Sequence, residues 1–345
     1  MKIKNVCVLG GSGFVGRHVV HLLGARGYRV RVPTRRRERA KSLLVLPTVD
    51  IVEANIFDPG DLDRQFEGMD AVVNLVGILH ENRRGRADKP QARRGDFHEV
   101  HVELPRKVAH ACAARRVPRL LHMSALNADP TARSAYLRSK GLGEAIMREA
   151  GAAAREDERG YLDGPKLVRG YGLAATIFRP SVVFGREDAF LNLFARLASS
   201  LPLLPLASPD ARFQPVFVED VARAIVDSLA DEAAFGQTYD LCGPKVYTLQ
   251  ELVEFVAATL GRRCRIVRLG PGASYLQAWA LELMPGKKLM TRDNFYSMQA
   301  DSVCACPFPA LFGFSPANME AVVPGYLAQA LPRARYTGFR QRAGR

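Results

Sequence analysis

A strand that runs straight into three spaced glycines leaves a chain few ways to fold. Val6-Cys7-Val8-Leu9 is a short apolar run, and Gly10-Gly11-Ser12-Gly13-Phe14-Val15-Gly16 follows at once. A run that is apolar at every position suits a strand buried on both faces. Gly10 turns the chain out of the strand. Gly13 lets a pyrophosphate approach the backbone with no Cβ in the way, and Gly16 allows the next helix to pack closely. Val15, Val19, Leu22 and Leu23 recur at helical spacing over residues 13–26. The N–H groups that open such a helix favour an anion. A glycine-rich turn alone is an ordinary βα connection. The strand before it, the helix after it and Val30 to Val32 beyond are the context that dinucleotide binding requires.

Strand and helix patterns alternate through the first ~180 residues, which predicts an α/β fold with a doubly wound parallel sheet. Strands are expected at Val6–Leu9, Arg29–Val32, Val49–Val52, Ala71–Leu75, Leu120–Met123 and Ala174–Phe178. In such a sheet the order is 3-2-1-4-5-6, with the glycine turn at the crevice where the order reverses. Glu81 to Gly95 reads as an exposed arginine-rich loop and residues 152–169 as a charged surface insertion. After Arg179, Pro202, Pro205, Pro209 and Pro215 separate short segments. Helices are expected at Val221–Leu229, Leu249–Leu260, Ser274–Met284 and Thr291–Met298. The expected organisation is a dinucleotide-binding domain over 1–180, a smaller, mostly helical region interwoven with it over 181–330, and a basic tail over 331–345. The smaller region covers the substrate.

The formal net charge is +14, with basic runs such as Arg35-Arg36-Arg37 and Arg262-Arg263. Such a charge suits a solvated surface or contact with an anionic membrane. No aromatic-interleaved basic stripe or nucleic-acid module is present. No run approaches the ~18 apolar residues of a membrane span. The first strand begins almost at once, so no signal peptide is expected. The six cysteines are scattered without a CxxC pair or metal-ligand spacing, so reduced thiols in a cytoplasmic protein, and no metal, are expected.

A second motif lies downstream. Tyr136 and Lys140 are four residues apart, which on a helix places both side chains on one face. A phenol with a pKa near ~10 is a poor base at neutral pH, and a nearby ammonium lowers it. Lys140 can also hold a nicotinamide ribose. Ser124, at the end of an expected parallel strand, sits where such sheets bind ligands and can hold the reacting oxygen. Ten Tyr and ten Lys in 345 residues produce about 0.3 such spacings by chance. The strand-end serine twelve residues upstream makes coincidence a minority explanation.

Gly10-xx-Gly13-xx-Gly16, Ser124 and Tyr136-xxx-Lys140 resemble the extended branch of the short-chain dehydrogenase/reductase superfamily. Further segments are similar to one atypical group, the accessory subunit of respiratory complex I and its bacterial relatives. These are Leu75-Val76-Gly77-Ile78-Leu79-His80, His101-Val-Glu-Leu-Pro105, His122-Met-Ser-Ala125, Ile177 to Gly185 and Phe213 to Asp220. The similarity spans about residues 4 to 300. It implies a Rossmann fold, bound NAD(P)(H), and Ser124, Tyr136 and Lys140 as the catalytic set. It also implies cofactor contacts from Gly10, Ser12, Gly13, Phe14, Val15, Gly16, Asn55, Ile56, Leu75, Val76, Gly77 and Lys140, and from the turn that begins Arg179, Pro180, Ser181 and Val182. Two positions depart from the extended pattern. His101 stands where a helix Asn is usual, which disturbs the proton relay through that Asn. Asn55 replaces the acidic residue that often contacts adenine, and its amide can still hydrogen-bond the adenine edge.

NAD binders place a carboxylate at the end of the second strand for the ribose 2′-OH. Here that position is Thr34, followed by Arg35, Arg36 and Arg37. The missing carboxylate and the guanidinium groups favour the 2′-phosphate of NADP(H) over NAD(H). His80 and His122 are candidate cleft residues, though a lone His is more often packed and hydrogen-bonded. Asp220 is expected to cap the helix that follows it. Trp279 lies in an apolar helix that suits either a buried lid or contact with a membrane or partner. Three functions follow. The first is an NADP(H)-dependent oxidoreductase acting on an alcohol/carbonyl pair, with a quinone-related or lipophilic substrate. The second is an NAD-dependent nucleotide-sugar epimerase or dehydratase. The third is a non-catalytic complex I-associated subunit or assembly factor with bound cofactor, peripheral to the inner face of a membrane.

Overall fold

The computed structural model describes residues 2–81, 96–152, 173–284 and 288–327. The expected arginine-rich loop (from residue 82), the charged insertion (from residue 153) and the basic tail lie outside these. Six strands fall where the alternation places them: β1 (Asn5–Leu9), β2 (Arg29–Thr34), β3 (Val49–Glu53), β4 (Ala71–Asn74), β5 (Arg119–Met123) and β6 (Ala174–Pro180). Val6, Cys7, Val8 and Leu9 are fully buried, so β1 needs a neighbour on each edge and a layer on each face. β2 pairs one edge in parallel, with Asn5 opposite Arg29. β4 pairs the other, with Leu9 opposite Asn74. The order 3-2-1-4-5-6 holds, and β11 (Thr238–Leu241) adds a seventh strand beside β6 that the sequence pattern did not announce.

The chain divides into two units, Met1–Pro180 with Val221–Asp240, and Ser181–Asp220 with Leu241–Arg345. In the first, α1 (Phe14–Ala25) buries Val15, Val19, Val20 and Leu23. α2 (Pro59–Phe66) starts with Pro at its first position and with Asp58 accepting the Asp61 N–H at 2.9 Å, a favourable N-terminus. Asp96 to Ala114 is one helical path: a short α3 (Asp96–His98), a π-helical turn over Glu99–Glu103, and α4 (Leu104–Ala114). α5 (Ala135–Ala152) carries the Tyr136–Lys140 pair. Leu62, Phe66, Leu104, Val108, Leu120 and Met147 pack together on this face of the sheet. Each such side chain contributes about 1.5–3 kcal/mol by burial.

Arg119 is a cation sealed inside this unit. Arg119 at the start of β5 is fully buried, and four carbonyl or hydroxyl groups accept from its guanidinium. They are Ala174 O at 2.6 Å, Thr176 Oγ1 at 2.7 Å, Ser228 O at 2.8 Å and Leu229 O at 3.2 Å. The guanidinium carbon lies 4.6 Å over the Phe235 ring. Ser228 and Leu229 follow α7 (Val218–Asp227), so their carbonyls belong to a helix C-terminus, which favours a cation. Burial pushes the Arg119 pKa down to about 10, with Tyr239 and Asp231 opposing. Its side chain is still charged at neutral pH.

The second unit, expected to be mostly helical, is mixed. Its helices are α6 (Phe190–Ser200), α8 (Leu249–Thr259), α9 (Pro271–Leu283), α10 (Arg292–Ser297) and α11 (Met319–Leu327). Among the described residues three two-stranded sheets accompany them: β7 (Val183–Phe184) with β10 (Val216–Phe217), β8 (Leu203–Leu206) with β13 (Arg265–Arg268), and β9 (Arg212–Phe213) with β12 (Tyr247–Thr248). Phe184, Leu191, Phe213, Leu252, Val256 and Val323 centre its core. Thr248 and Glu251 form a reciprocal cap on α8, and Thr291 and Asn294 do so on α10. Two expectations are corrected here. Cys242 and Cys304, 62 residues apart, form a disulfide with Cα atoms 6.1 Å apart, so not all cysteines are reduced. Asp220 is the third residue of α7 rather than its cap, and its carboxylate accepts the Ala317 N–H at 2.7 Å.

Candidate functional site

The glycine turn is built by backbone contact. Gly10 has φ +78°, the left-handed region, and a Cβ there would lie 3.1 Å from the Leu75 carbonyl carbon. A Cβ on Gly16 would lie 2.2 Å from Gly10 O and 2.7 Å from Gly11 Cα. Only glycine permits this approach of α1 to the turn. The Gly13 N–H donates to Gly10 O at 2.9 Å, and Gly13 O accepts the Arg17 N–H at 3.0 Å. Gly13 caps α1 without a side-chain hydrogen bond. The N–H groups of Phe14, Val15 and Gly16 precede the first helical hydrogen bond, so they are orphan donors of the kind that suits a phosphate. The residues present therefore fit a dinucleotide. Arg17 Nε donates to Gly13 O at 3.3 Å and brings to this helix start a guanidinium that the sequence reading did not single out.

At the end of β2, Thr34 is buried. Its Oγ1 accepts the Arg36 N–H at 3.4 Å and donates to Arg36 O at 3.1 Å, a turn that leaves Arg35 and Arg36 exposed. Past β3, Asn55 is exposed and its Oδ1 accepts the Phe57 N–H at 3.3 Å, while Ile56 is buried in the core. Leu75 and Val76 pass directly under Gly10.

On the other side of β1 the site is made of buried polar side chains. Lys140 is buried, and its Nζ donates to Met123 O at 3.1 Å, one residue before Ser124. A Cβ on Gly77 would lie 3.3 Å from the same Nζ and 3.7 Å from His101 Nε2, so the loop after β4, the end of β5 and the helix α5 meet here. Burial lowers the Lys140 pKa to about 8, with the Glu144 carboxylate opposing. Ser124 is buried beneath a backbone bond from its own N–H to Phe178 O at 2.7 Å. Its Oγ has no hydrogen-bond partner among the described residues. An unpaired buried hydroxyl costs about 1–3 kcal/mol.

His101 lies in the π-helical turn and is neutral. Burial first, then the charge of Lys140 and His122, lowers its pKa to about 2. The Ile78 N–H donates to Nε2 at 3.1 Å, so that nitrogen is bare and Nδ1 carries the proton. Nδ1 donates to Ser139 Oγ at 2.9 Å, and that hydroxyl donates to Tyr136 O at 2.8 Å. The ring stacks on Phe97 at 5.5 Å and meets the Tyr136 ring edge-on at 5.6 Å. Both nitrogens are engaged, so His101 ties the loop after β4 to α5. Gly143 makes this possible, since a Cβ there would lie 2.2 Å from His101 O. A π-turn inside a helix is common at functional sites.

His122 is likewise packed and neutral, its pKa lowered to about 3 by burial first and Lys140 second. Asn74 Oδ1 accepts the Val76 N–H at 3.2 Å, and its amide nitrogen donates to His122 Nδ1 at 3.3 Å. His80, by contrast, lies six residues beyond the end of β4 rather than in the strand. Glu144 continues the Tyr136–Lys140 row and was not singled out, although its i, i+4 spacing was readable. It is buried, and accepts from Arg179 Nε at 2.8 Å, Arg179 Nη2 at 2.5 Å and Arg148 Nη2 at 2.9 Å. Arg179 thus turns its fork onto Glu144, with Asp240 at 4.0 Å. Pro180 O accepts the Leu126 N–H at 3.0 Å. In the second unit, Ser181 Oγ donates to Ser302 O at 2.8 Å, and Val182 O accepts the Val216 N–H at 3.0 Å.

A parallel sheet with a glycine turn at the carboxyl end of its central strand, beside a helix bearing Tyr and Lys one turn apart, defines a Rossmann-type NAD(P)-binding protein of the extended short-chain dehydrogenase kind. The chain belongs to the NAD-dependent epimerase/dehydratase family, whose sequence profile matches residues 6–242. It is 31% identical over 324 residues to mouse NADH dehydrogenase [ubiquinone] 1 alpha subcomplex subunit 9, mitochondrial, covering 91% of this chain and 77% of that one. It is 29% identical over 284 residues to a ceramide reductase of Caulobacter vibrioides, covering 80% and 76%. Its fold matches that of an NADPH-dependent quinone oxidoreductase from Escherichia coli complexed with NADPH. The TM-score is 0.66 at 15% identity, covering 94% of this chain and 98% of that one.

Proposed function

We propose that this protein is an NADP(H)-dependent oxidoreductase that interconverts an alcohol and a carbonyl on a lipophilic or quinone-related substrate. The observation that carries the reading is the buried, unpaired Ser124 hydroxyl one residue beyond the carbonyl that holds Lys140 Nζ. Bound NADPH supplies the reducing equivalent. The Tyr136 hydroxyl gives a proton to the substrate oxygen, and Ser124 Oγ donates a hydrogen bond to the same oxygen. Lys140, charged below about pH 8, lowers the phenol pKa and holds the ribose. The Gly10–Gly16 turn takes the pyrophosphate with help from Arg17. Arg35 and Arg36 take the 2′-phosphate, Asn55 and Ile56 the adenine side, and Leu75 to Gly77 and the Arg179–Val182 turn the nicotinamide side. NAD(H) is the weaker ligand. The lipophilic substrate class rests on a relative named as a ceramide reductase. The site of action is the cytoplasm, at the inner face of the membrane.

The test is native mass spectrometry for a bound dinucleotide, followed by NADPH oxidation against long-chain carbonyl lipids and quinones. Turnover with one of them, lost in Tyr136→Phe, supports the reading. Tighter NADH than NADPH binding removes the NADP(H) assignment.

A second reading, a subunit or assembly factor of a respiratory complex that holds its cofactor without turnover, is favoured by one observation. Both His101 nitrogens are occupied, so no relay runs through it where extended dehydrogenases place Asn. If Tyr136→Phe leaves cellular respiration unchanged while Gly16→Ala abolishes it, this second reading replaces the first.

A further inference from the structure

Among the described residues, no helix is long and apolar enough to cross a membrane. Yet α9 presents an apolar face outward. It buries Ser274 and Ala278, while Leu276, Trp279 and Leu283 are 60%, 44% and 64% exposed. Those three follow i, i+3, i+7 spacing and so form one stripe. Met284, just past the helix, is also exposed. Single exposed apolar residues need no explanation, but a continuous stripe of this size does.

The stripe does not stand alone. Ser274 Oγ accepts the Ser208 N–H at 3.2 Å, and Gln277 Nε2 donates to Pro205 O at 2.9 Å. α9 therefore runs back along β8, towards the exposed Leu201 and Leu203. At that end, the Arg265 N–H donates to Pro202 O at 2.9 Å, and Arg265 pairs with Leu203 across the β8–β13 ladder. Arg262, Arg263 and Arg265 are all exposed, and no carboxylate pairs with them among the described residues. The nearby acids are already matched: Asp210 with Arg268, and Glu282 with Arg292 at 2.9 Å.

We propose that α9 and the adjoining β8–β13 edge form a docking surface for an anionic lipid bilayer. A short helix with leucine and tryptophan on one face lies in the interface plane, with tryptophan at the headgroup level. Unpaired arginines at the border of the apolar stripe meet the anionic headgroups. A second copy of the chain is a poorer occupant, because Asp210 and Glu282 beside this face already pair with Arg268 and Arg292 and offer no charge to a second copy's arginines. The proposal needs neither cofactor nor turnover, so its failure is separable from that of the oxidoreductase reading.

Trp279 is the single tryptophan of the chain, so its emission reports on this surface alone. The full-length protein is mixed with vesicles of phosphatidylglycerol and phosphatidylcholine, or of phosphatidylcholine only. A blue shift and quenching by spin-labelled lipid with the anionic vesicles only, reversed by high salt, are expected. Leu283→Glu should abolish the shift. Replacing Arg262, Arg263 and Arg265 by Ala should weaken partitioning about a hundredfold, at about fivefold per arginine. Thermal melts and dinucleotide binding of both variants should match the unaltered protein, since neither site touches the glycine turn. A Trp279 spectrum unmoved by anionic vesicles, or moved equally by neutral ones, overturns the proposal. So does a lipid-independent shift that grows with protein concentration, which assigns the surface to a second copy. A red shift on removing residues 328–345 overturns it in favour of the chain's own C-terminal segment.

Discussion

The two sides of β1 solve different problems by different means. On the β2–β3 side the site is made of backbone: a positive φ at Gly10, a Cβ-free contact at Gly16 and open N–H groups at the start of α1. On the β4–β6 side it is made of buried titratable side chains, namely Lys140, Glu144, His101 and His122. The first side admits no methyl group at Gly16 without a shift of backbone. The second is built from charge and its burial, which lowers the pKa of His101, His122 and Lys140.

That contrast can be broken by experiment. The largest effect is expected from Tyr136→Phe. Loss of the proton donor should lower turnover about 10²- to 10⁴-fold with NADPH affinity unchanged, measured by steady-state rates beside calorimetric binding. A comparable loss of affinity would show that the two sides are not separable. Next comes Gly16→Ala. The added Cβ collides with Gly10 O, and overpacking strain of about 1–3 kcal/mol falls on the turn, so NADPH affinity should drop about five- to 150-fold at any pH. Unaltered binding would remove the claim that the turn needs glycine there. Arg35→Ala with Arg36→Ala should weaken NADPH about tenfold or more and NADH less than about threefold, by titration of each cofactor, because only the 2′-phosphate meets those guanidinium groups.

The smallest effect sharpens the contrast. The Lys140 pKa is lowered from 10.5 to about 8, so its charge is complete below pH 7 and fades as pH rises through 8. NADH affinity, free of the titrating 2′-phosphate, should be flat from pH 6 to pH 7 and fall by less than about tenfold per unit above pH 8. Glu144→Gln removes the carboxylate that raises this pKa, so the fall should begin at lower pH. Folding stability runs the opposite way. Between about pH 8 and 10.5 the unfolded chain holds the Lys140 proton and the folded chain does not, so this group adds stability as pH rises. An affinity profile that is flat to pH 10 would mean that Lys140 does not hold the cofactor through its charge.

The glycine turn was legible because its constraint is local: three glycines, a strand before and a helix after suffice. The Tyr136–Lys140 pair was legible for the same reason, since four residues are one helical turn. Glu144 lies on that row too, and missing it was a failure to extend the row by one step. His101 could be aligned but not understood. Its π-turn depends on Gly143, 42 residues away, letting α5 approach His101 O. The Asn74–His122 pair and the Cys242–Cys304 disulfide are likewise long-range facts, invisible to spacing. β11 was missed because it completes the sheet from sequence some 60 residues beyond the last expected strand. The helix that carries Asp220 begins at Val218 rather than Val221, which puts Asp220 inside its first turn instead of at its cap.

The sealed Arg119 has a bearing on how the chain is made. Its guanidinium sits at the start of β5, but two of its acceptors, Ser228 O and Leu229 O, are synthesised more than a hundred residues later. Until they arrive, a nascent chain that has reached Pro180 has six strands, an uncovered β6 edge and a cation with half its partners missing. Closing the sheet before then would strand that charge in a nonpolar interior, which is strongly unfavourable. A chain that lacks residues 221–240 therefore leaves Arg119 without half of these acceptors, and residues 181–220 of the second unit precede them in sequence. A fragment cut after Pro180 should therefore be poorly folded and prone to pair its open edge with other chains.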